Sequence, residues 1–225
     1  TAIEPPTIVI GEIFYYVKIS FTAGSCAEIT SEAASVRVVT QITVATVNDL
    51  QTFCVGGTAD EMEVTYAGGT GNATYQWFSN TTNTNSGGSE ISGQTTSTYT
   101  PNIFTTVGDF YYYAEISLDG NGCNTASSDI FEVNVLADPI INTQAIASQE
   151  LCQSATPANL TITTSGGTSS AKSYQWYQNN SNSNTSGTEI TNANSDTYTP
   201  DTSLSGTFYY YVIVSQLETG CSVTG

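Results

Sequence analysis

Tyr174-Gln175-Trp176-Tyr177 repeats Tyr75-Gln76-Trp77-Phe78 at an offset of 99 residues, and this repetition decides the fold. Self-similarity at a fixed period marks a chain built of copies of one unit. Working outward, Tyr99-Thr100-Pro101 returns as Tyr198-Thr199-Pro200, again 99 residues on. Phe110-Tyr111-Tyr112-Tyr113 returns 98 residues later as Phe208-Tyr209-Tyr210-Tyr211, and Ile13-Phe14-Tyr15-Tyr16 stands 97 residues before it. The sequence therefore divides into part of one repeat over 1–40, a complete repeat over 41–138, and a third over 139–225 that lacks its last strand.

The cysteines keep the same period. Cys26, Cys123 and Cys221 are equivalent at offsets of 97 and 98, and Cys54 and Cys152 at 98. Within each of the two later repeats the pair stands 69 residues apart. This spacing predicts one disulfide per repeat, Cys54–Cys123 and Cys152–Cys221, with the partner of Cys26 missing from the sequence. Closing a loop of that length restricts the unfolded chain by about 4 kcal/mol in the chain-entropy account. Persistent disulfides belong to an oxidising compartment and so to an exported protein, the alternative being buried free thiols in a cytosolic one. A zinc site fits less well, because no two cysteines lie within four residues of each other.

Short alternating runs separated by Gly, Asn, Ser and Thr clusters replace any helical period, the pattern of an all-β sandwich or barrel. In the complete repeat strands are expected near 42–47, 61–67, 73–79, 88–92, 97–100, 109–118 and 127–136. Seven short strands in about 98 residues is the scale of an immunoglobulin-like domain. Gly68-Gly69, Gly87-Gly88 and Asp119-Gly120-Asn121-Gly122 supply turns between them. Side chains alternate across a strand, which puts Phe110, Tyr112, Ala114 and Ile116 on one face, with Phe208, Tyr210, Val212 and Val214 as counterparts. That face is the expected core side, and Trp77 and Trp176 are its expected pins. Val36 through Val44 contains no Gly, Pro or Ser, and Asp138-Pro139 interrupts the second junction only briefly. Linkers this short of Gly and Ser are stiff, so the repeats should stack end to end.

The 225 residues carry 20 acidic against 3 basic side chains and no histidine, for a net charge of −17. Such a surface opposes nucleic-acid binding and docking on anionic lipid. It also discourages lateral clumping of an extended array. No apolar run is long enough to cross a bilayer as a helix, and no N-terminal signal peptide is visible.

Catalysis has little to draw on: histidine, the commonest general base, is absent, and no GxSxG elbow occurs. Asp60, Glu61 and Glu63 cluster, but the corresponding residues 158–161 contain no acid, so a solvated strand end is the expected reading. Asp119-Gly120-Asn121-Gly122 resembles the start of a calcium loop, yet Leu217-Glu218-Thr219-Gly220 does not keep the pattern. The chain is therefore read as a non-enzyme with no cofactor and no metal. The candidate ligand-facing residues are the aromatics opposite the core face: Phe78, Tyr111 and Tyr113, repeated as Tyr177, Tyr209 and Tyr211, with Phe14 and Tyr16 earlier. Rings in a row would stack on sugars; alternatively they pair across strands beneath the Asn-rich loop 79–89. That loop and its counterpart 178–188 are either solvated hairpins or adhesive or glycosylated tips.

The set Tyr-x-Trp-[Phe/Tyr], an Asn/Ser/Thr loop, Tyr-Thr-Pro and Phe-Tyr-Tyr-Tyr, followed by Cys221 ten residues after Tyr211, resembles the immunoglobulin-like repeats of very large Bacteroidota cell-surface adhesins, the gliding-motility adhesins among them. The resemblance runs copy by copy along the chain. It implies a segment of an extended adhesin filament, exported by the type IX system and displayed on the outer membrane. The implied partners are neighbouring repeats and, through the parent protein, a surface polysaccharide or the motility and secretion machinery. Two other roles remain open: a carbohydrate-binding module using the outward tyrosines, and accessory domains of a secreted hydrolase. Ala114 and Val212 occupy the place of the second cysteine of antibody domains, so a disulfide packed on Trp77 in the antibody manner is not expected.

Overall fold

The structure, a computed structural model, describes residues 3–6, 8–22, 24, 27–120 and 125–225. All of its regular elements are β-strands. In the complete repeat, Thr43–Val47, Met62–Ala67 and Thr98–Tyr99 form one sheet, with Met62–Ala67 in the middle. The facing sheet runs in the order Leu50–Cys54, Phe131–Leu136, Gly108–Leu118, Ala73–Asn80, Ser89–Glu90, and Thr125–Ser127 also pairs with Gly108–Leu118. Two sheets, antiparallel except at the Leu50–Cys54 edge, packed face to face make an immunoglobulin-like β-sandwich. The third repeat copies the plan: Ser173–Asn179 pairs with Tyr209–Ser215, which also pairs with Ser222–Thr224.

The sequence period explains the core. Phe131, Val133 and Val135 are buried while Glu132, Asn134 and Leu136 between them are not fully so, one face turned inward and one outward. Trp77 is fully buried between Tyr99 and Phe131, at ring-centroid distances of 5.5 and 5.2 Å, and Met62, Val64, Ala114 and Ile116 complete the core. Its indole N–H donates to the Thr96 carbonyl at 2.9 Å, so the one polar atom of the ring is satisfied. Trp176 does the same with Ser195 at 2.8 Å.

Two strand expectations are corrected. Leu50–Cys54 was not foreseen, and it pairs in parallel with Phe131–Leu136. The chain crosses from one sheet to the other at Val47–Leu50, where Asn48 takes φ +61, so consecutive strands of one stretch serve both sheets. The run expected at 127–136 is divided into Thr125–Ser127 and Phe131–Leu136. Buried Ser128 divides it: its N–H donates to the Ala114 carbonyl, and its hydroxyl accepts from the Ala114 N–H and donates to the Asp129 carbonyl.

The disulfide expectation is also corrected. Cys54 is joined to Cys221, 167 residues away, with Cα atoms 5.0 Å apart. The bridge links two repeats instead of closing one. Strand geometry gives the reason. Cys54 pairs with Leu136 at the end of the sandwich where Gly108–Leu118 begins, since Gly108 pairs with Val135. That strand runs away from Cys54 with a rise of about 33 Å over 11 residues, and Thr125 pairs with Ser117 at its far end. A disulfide spans no more than about 7 Å between Cα atoms. Cys123 and Cys26 lie outside the described residues, and Cys152 is an exposed free thiol.

The next repeat leaves from Leu136, beside Cys54, and presents its own hairpin end to the same place. The repeats therefore follow one another end to end. At both junctions a linker carbonyl accepts a hydrogen bond from a Gly-Gly turn of the following repeat: Thr40 from Gly69 at 2.9 Å, and Ala137 from Gly167 at 3.0 Å. Gly69 and Gly167 take φ +68 and +77, the left-handed region that glycine enters without a side-chain clash.

Candidate functional site

The chemistry of this molecule gathers at the junction between the complete repeat and the third. The hairpin end Gln216–Cys221 is fastened first to its own repeat. Gln216 accepts from the Thr168 N–H at 2.9 Å through Oε1, and its Nε2 donates to the carbonyls of Thr168 and Ser170 at 3.1 and 2.7 Å. The Glu218 carboxylate accepts from the hydroxyls of Ser170 and Thr168 at 2.6 and 2.7 Å. These bonds favour the charged form and hold the Glu218 carboxyl below the usual carboxylate range, that from Ser170 contributing most.

The same end then docks on the preceding repeat. The Cys54 N–H donates to the Thr219 carbonyl at 3.1 Å, and the Thr58 N–H to the Thr219 hydroxyl at 3.2 Å. That hydroxyl donates to the Thr58 carbonyl at 3.3 Å. Backbones approach closely here: a Cβ on Gly57 would lie 2.6 Å from the Thr219 carbonyl oxygen, which only glycine avoids. The bonded sulfurs are enclosed, Cys54 and Cys221 both being buried. Beside them a cleft of about 310 Å³ opens between Leu50 on one repeat and Leu217 on the other, both exposed. The junction thus combines a covalent bond, three hydrogen bonds and a close glycine contact, an arrangement that fixes one repeat against the next.

The aromatic face is placed differently from the ligand-facing expectation. Tyr113 and Tyr211 are buried. Phe78 stacks on Tyr113 with ring centroids 5.0 Å apart and planes 7° off parallel, and Tyr177 stacks on Tyr211 at 5.0 Å and 8°. The Asn-rich loops lie over these pairs: the Gly88 N–H donates to the Tyr113 hydroxyl at 3.1 Å, and the Gly187 N–H to that of Tyr211 at 3.0 Å. Each loop is wound around one asparagine. Asn80 Nδ2 donates to the carbonyls of Thr84 and Ser86, and Asn179 Nδ2 to those of Ser183 and Thr185. Tyr113 and Tyr211 are accordingly cross-strand packing under a cover, which corrects their reading as ligand-facing rings. Phe78, Tyr111, Tyr177 and Tyr209 are half-buried, while Phe14 and Tyr16 of the first repeat are exposed.

The acidic candidates are dispersed in role. Asp60 and Glu61 are exposed at the start of the Met62–Ala67 strand, and the Asp60 backbone is clamped by the Gln51 amide. Asp119 accepts from the side-chain and backbone amides of Asn72 at 3.0 and 2.6 Å, and these bonds, the side-chain one contributing most, hold its carboxyl below the usual range. Asn121 and Gly122 lie outside the described residues. Among the described residues no group of three or more Cys, Asp or Glu side chains is placed to hold a metal ion.

A larger cavity of about 440 Å³ lies along the third repeat between Leu160, Tyr210 and Gly225. Tyr112, the counterpart of Tyr210, pairs there with Phe131. The cavity is the place that the Phe131–Leu136 strand fills in the complete repeat, and Gly225 is the counterpart of Ser128, its N–H donating to the Val212 carbonyl as that of Ser128 does to the Ala114 carbonyl.

Residues 43–137 and 141–224 each match a domain family of unknown function, DUF8696. These two stretches make up most of the chain, which therefore belongs to that family. Among solved structures the chain is similar to the fibronectin(III)-like modules of CbhA from Clostridium thermocellum, at 15% identity over 82% of this chain and 90% of that one, with a TM-score of 0.39. It is also similar to immunoglobulin domains 1-5 of Sidekick-1, at 14% identity over 94% of this chain and 45% of that one, with a TM-score of 0.41. No curated protein matches the sequence.

Proposed function

We propose that this chain is a non-catalytic structural segment of an extended extracellular filament, in which tandem immunoglobulin-like repeats are fastened to one another. The observation that carries the reading is the Cys54–Cys221 bridge, which joins consecutive repeats. A bond at that place adds nothing to a catalytic pocket. It fixes the angle between neighbours and gives tension a covalent route past the sandwiches. A persistent disulfide needs an oxidising compartment, which supports an exported protein. The net charge of −17 supports a filament that stays extended and does not clump.

The finer reading is a bacterial cell-surface adhesin of the gliding-motility type, held on the outer membrane, whose repeats project a binding element or carry traction to a surface. The test is labelling of intact producing cells with an antibody to this segment, joined to adhesion and gliding assays of a strain lacking it. Surface labelling together with loss of adhesion or movement is expected. Labelling only after lysis, or a parent protein in which these repeats merely flank a catalytic domain, would overturn it. The carbohydrate-module alternative is weakened because Tyr113 and Tyr211 are buried.

A further inference from the structure

We propose that Cys152 is the acceptor of a second inter-repeat disulfide, formed with the hairpin-end cysteine of a further repeat of this kind, so that the Cys54–Cys221 bridge recurs junction by junction. The proposal rests on the serial-array reading for the presence of such a repeat in the parent protein.

The acceptor platform is built twice in this chain. In the complete repeat, Gln51 clamps Asp60: its Oε1 accepts the Asp60 N–H at 2.7 Å and its Nε2 donates to the Asp60 carbonyl at 3.1 Å. In the third repeat Gln149 clamps Ala158 in the same way, at 2.7 and 2.9 Å. The turns that follow also match. The Cys54 carbonyl accepts from the Gly57 N–H at 2.9 Å, and the Cys152 carbonyl from the Ala155 N–H at 3.0 Å. Gly56 donates to the Phe104 carbonyl at 2.9 Å and Ser154 to that of Thr202 at 2.8 Å, both with positive φ, +80 and +64.

What differs is the occupant. The first platform carries the end Leu217–Cys221 of the next repeat, and Cys54 is buried; on the second, Cys152 is an exposed free thiol, and no hairpin end of another repeat is bonded to it among the described residues. The structure itself thus identifies the ligand of this platform as a hairpin end with cysteine at the place of Cys221. The recurrence of the linker bond, Thr40 with Gly69 and Ala137 with Gly167, is an independent sign that successive repeats stack in one manner. One position departs from the copy: Ala155 stands where Gly57 allows the close approach to Thr219. The incoming end must ride farther out to clear that methyl group.

Bond formation consumes two thiols and one small-molecule disulfide. The protein Sγ–Sγ bond forms, the small disulfide is reduced to two thiols, and these take up the two protons.

The test lengthens the full chain by a copy of residues 129–225 placed directly after Gly225, whose N–H donates to the Val212 carbonyl as that of Ser128 does to Ala114, so the register continues; the copy carries Cys152→Ser, so that only the original Cys152 is read. The product is oxidised with glutathione disulfide and mapped by non-reducing peptide mass spectrometry. The expected result is a Cys152 peptide linked to the copied Cys221, with Cys54–Cys221 retained and alkylation of Cys152 reduced to background. Cys152 alkylated in full, or bridged to Cys26 or Cys123, in molecules that hold Cys54–Cys221 overturns the proposal. A second measurement on the unlengthened chain guards against misfolding of the added repeat. A peptide of residues 216–223, its cysteine activated as a thionitrobenzoate disulfide, should modify Cys152 faster than a scrambled peptide, and faster still in Ala155→Gly; equal rates overturn the proposal. Neither measurement depends on where the parent protein resides, so failure here is distinct from failure of the filament reading.

Discussion

Stretching the chain by its two ends tests the mechanical consequence of the Cys54–Cys221 bridge. Load entering at the start of the sequence reaches Cys54, crosses to Cys221 and leaves through Gly225. The 167-residue separation between the two cysteines is thereby shielded. An extended chain reaches 3.3–3.6 Å per residue, so the bridge hides about 550–600 Å of contour length. Only the 54 residues up to Cys54 and the short tail after Cys221 can lengthen; apart from the strands Thr43–Val47, Leu50–Cys54 and Ser222–Thr224, the strands of both sandwiches fall inside the shielded loop. The assay is single-molecule force spectroscopy with handles at both termini, performed oxidised and again with reductant or in Cys54→Ser/Cys221→Ser. The reduced chain should gain about 550–600 Å and show unfolding steps from the complete and third repeats that the oxidised chain lacks. Equal contour lengths in the two states would refute the reasoning. So would two separate locked loops of about 230–250 Å each, the signature of bridges closed within repeats.

Trp77→Ala empties the centre of a fully buried cluster and should destabilise the complete repeat by about 3–5 kcal/mol, read from urea unfolding; a loss under about 1 kcal/mol would contradict its place between Tyr99 and Phe131. The Tyr112 phenol is pushed up to about 12, by burial first and the neighbouring Tyr99 second. Its folded-state value lies above its ordinary one, so the stabilisation is complete below pH 10 and is lost as pH rises from there through 12. Circular dichroism with tyrosinate absorbance should show the complete repeat unfolding in that window, and Tyr112→Phe should delay it. Tyr113→Phe removes the acceptor of the Gly88 N–H and should cost about 1 kcal/mol, with faster proteolysis of the Asn-rich loop; unchanged cleavage would count against the cover described for that ring.

The sandwich was legible because its period is written in large residues. Trp77, Trp176 and the Phe110-Tyr112-Ala114-Ile116 face need no partner beyond their own repeat to be recognised as core, and burial follows their alternation. The parallel strand Leu50–Cys54 was not legible, because five residues after a sheet crossing carry too few alternations to be told from a loop. The disulfide was misread for a reason intrinsic to repeats. Equivalent cysteines recur with every unit, so a spacing of 69 fits a bridge within one repeat and an equally regular bridge to the next. The signal that separates the two is strand length: the Gly108–Leu118 strand runs away from the end that holds Cys54, and Thr125 pairs with Ser117 at its far end. The aromatic face had two readings, ligand-facing rings or cross-strand pairs beneath the Asn-rich loop, and the structure shows the second for Tyr113 and Tyr211. Alternation placed Tyr113 and Tyr211 opposite the core, and the fold of the loops around Asn80 and Asn179 decides between the two readings in favour of a covered face.

The most direct test of the account is non-reducing peptide mapping of the oxidised chain. The account predicts one cross-linked peptide pair containing Cys54 and Cys221, with Cys152 recovered as a free thiol. Recovery of Cys54 with Cys123 and of Cys152 with Cys221 would close each repeat on itself and contradict the fastening of one repeat to the next.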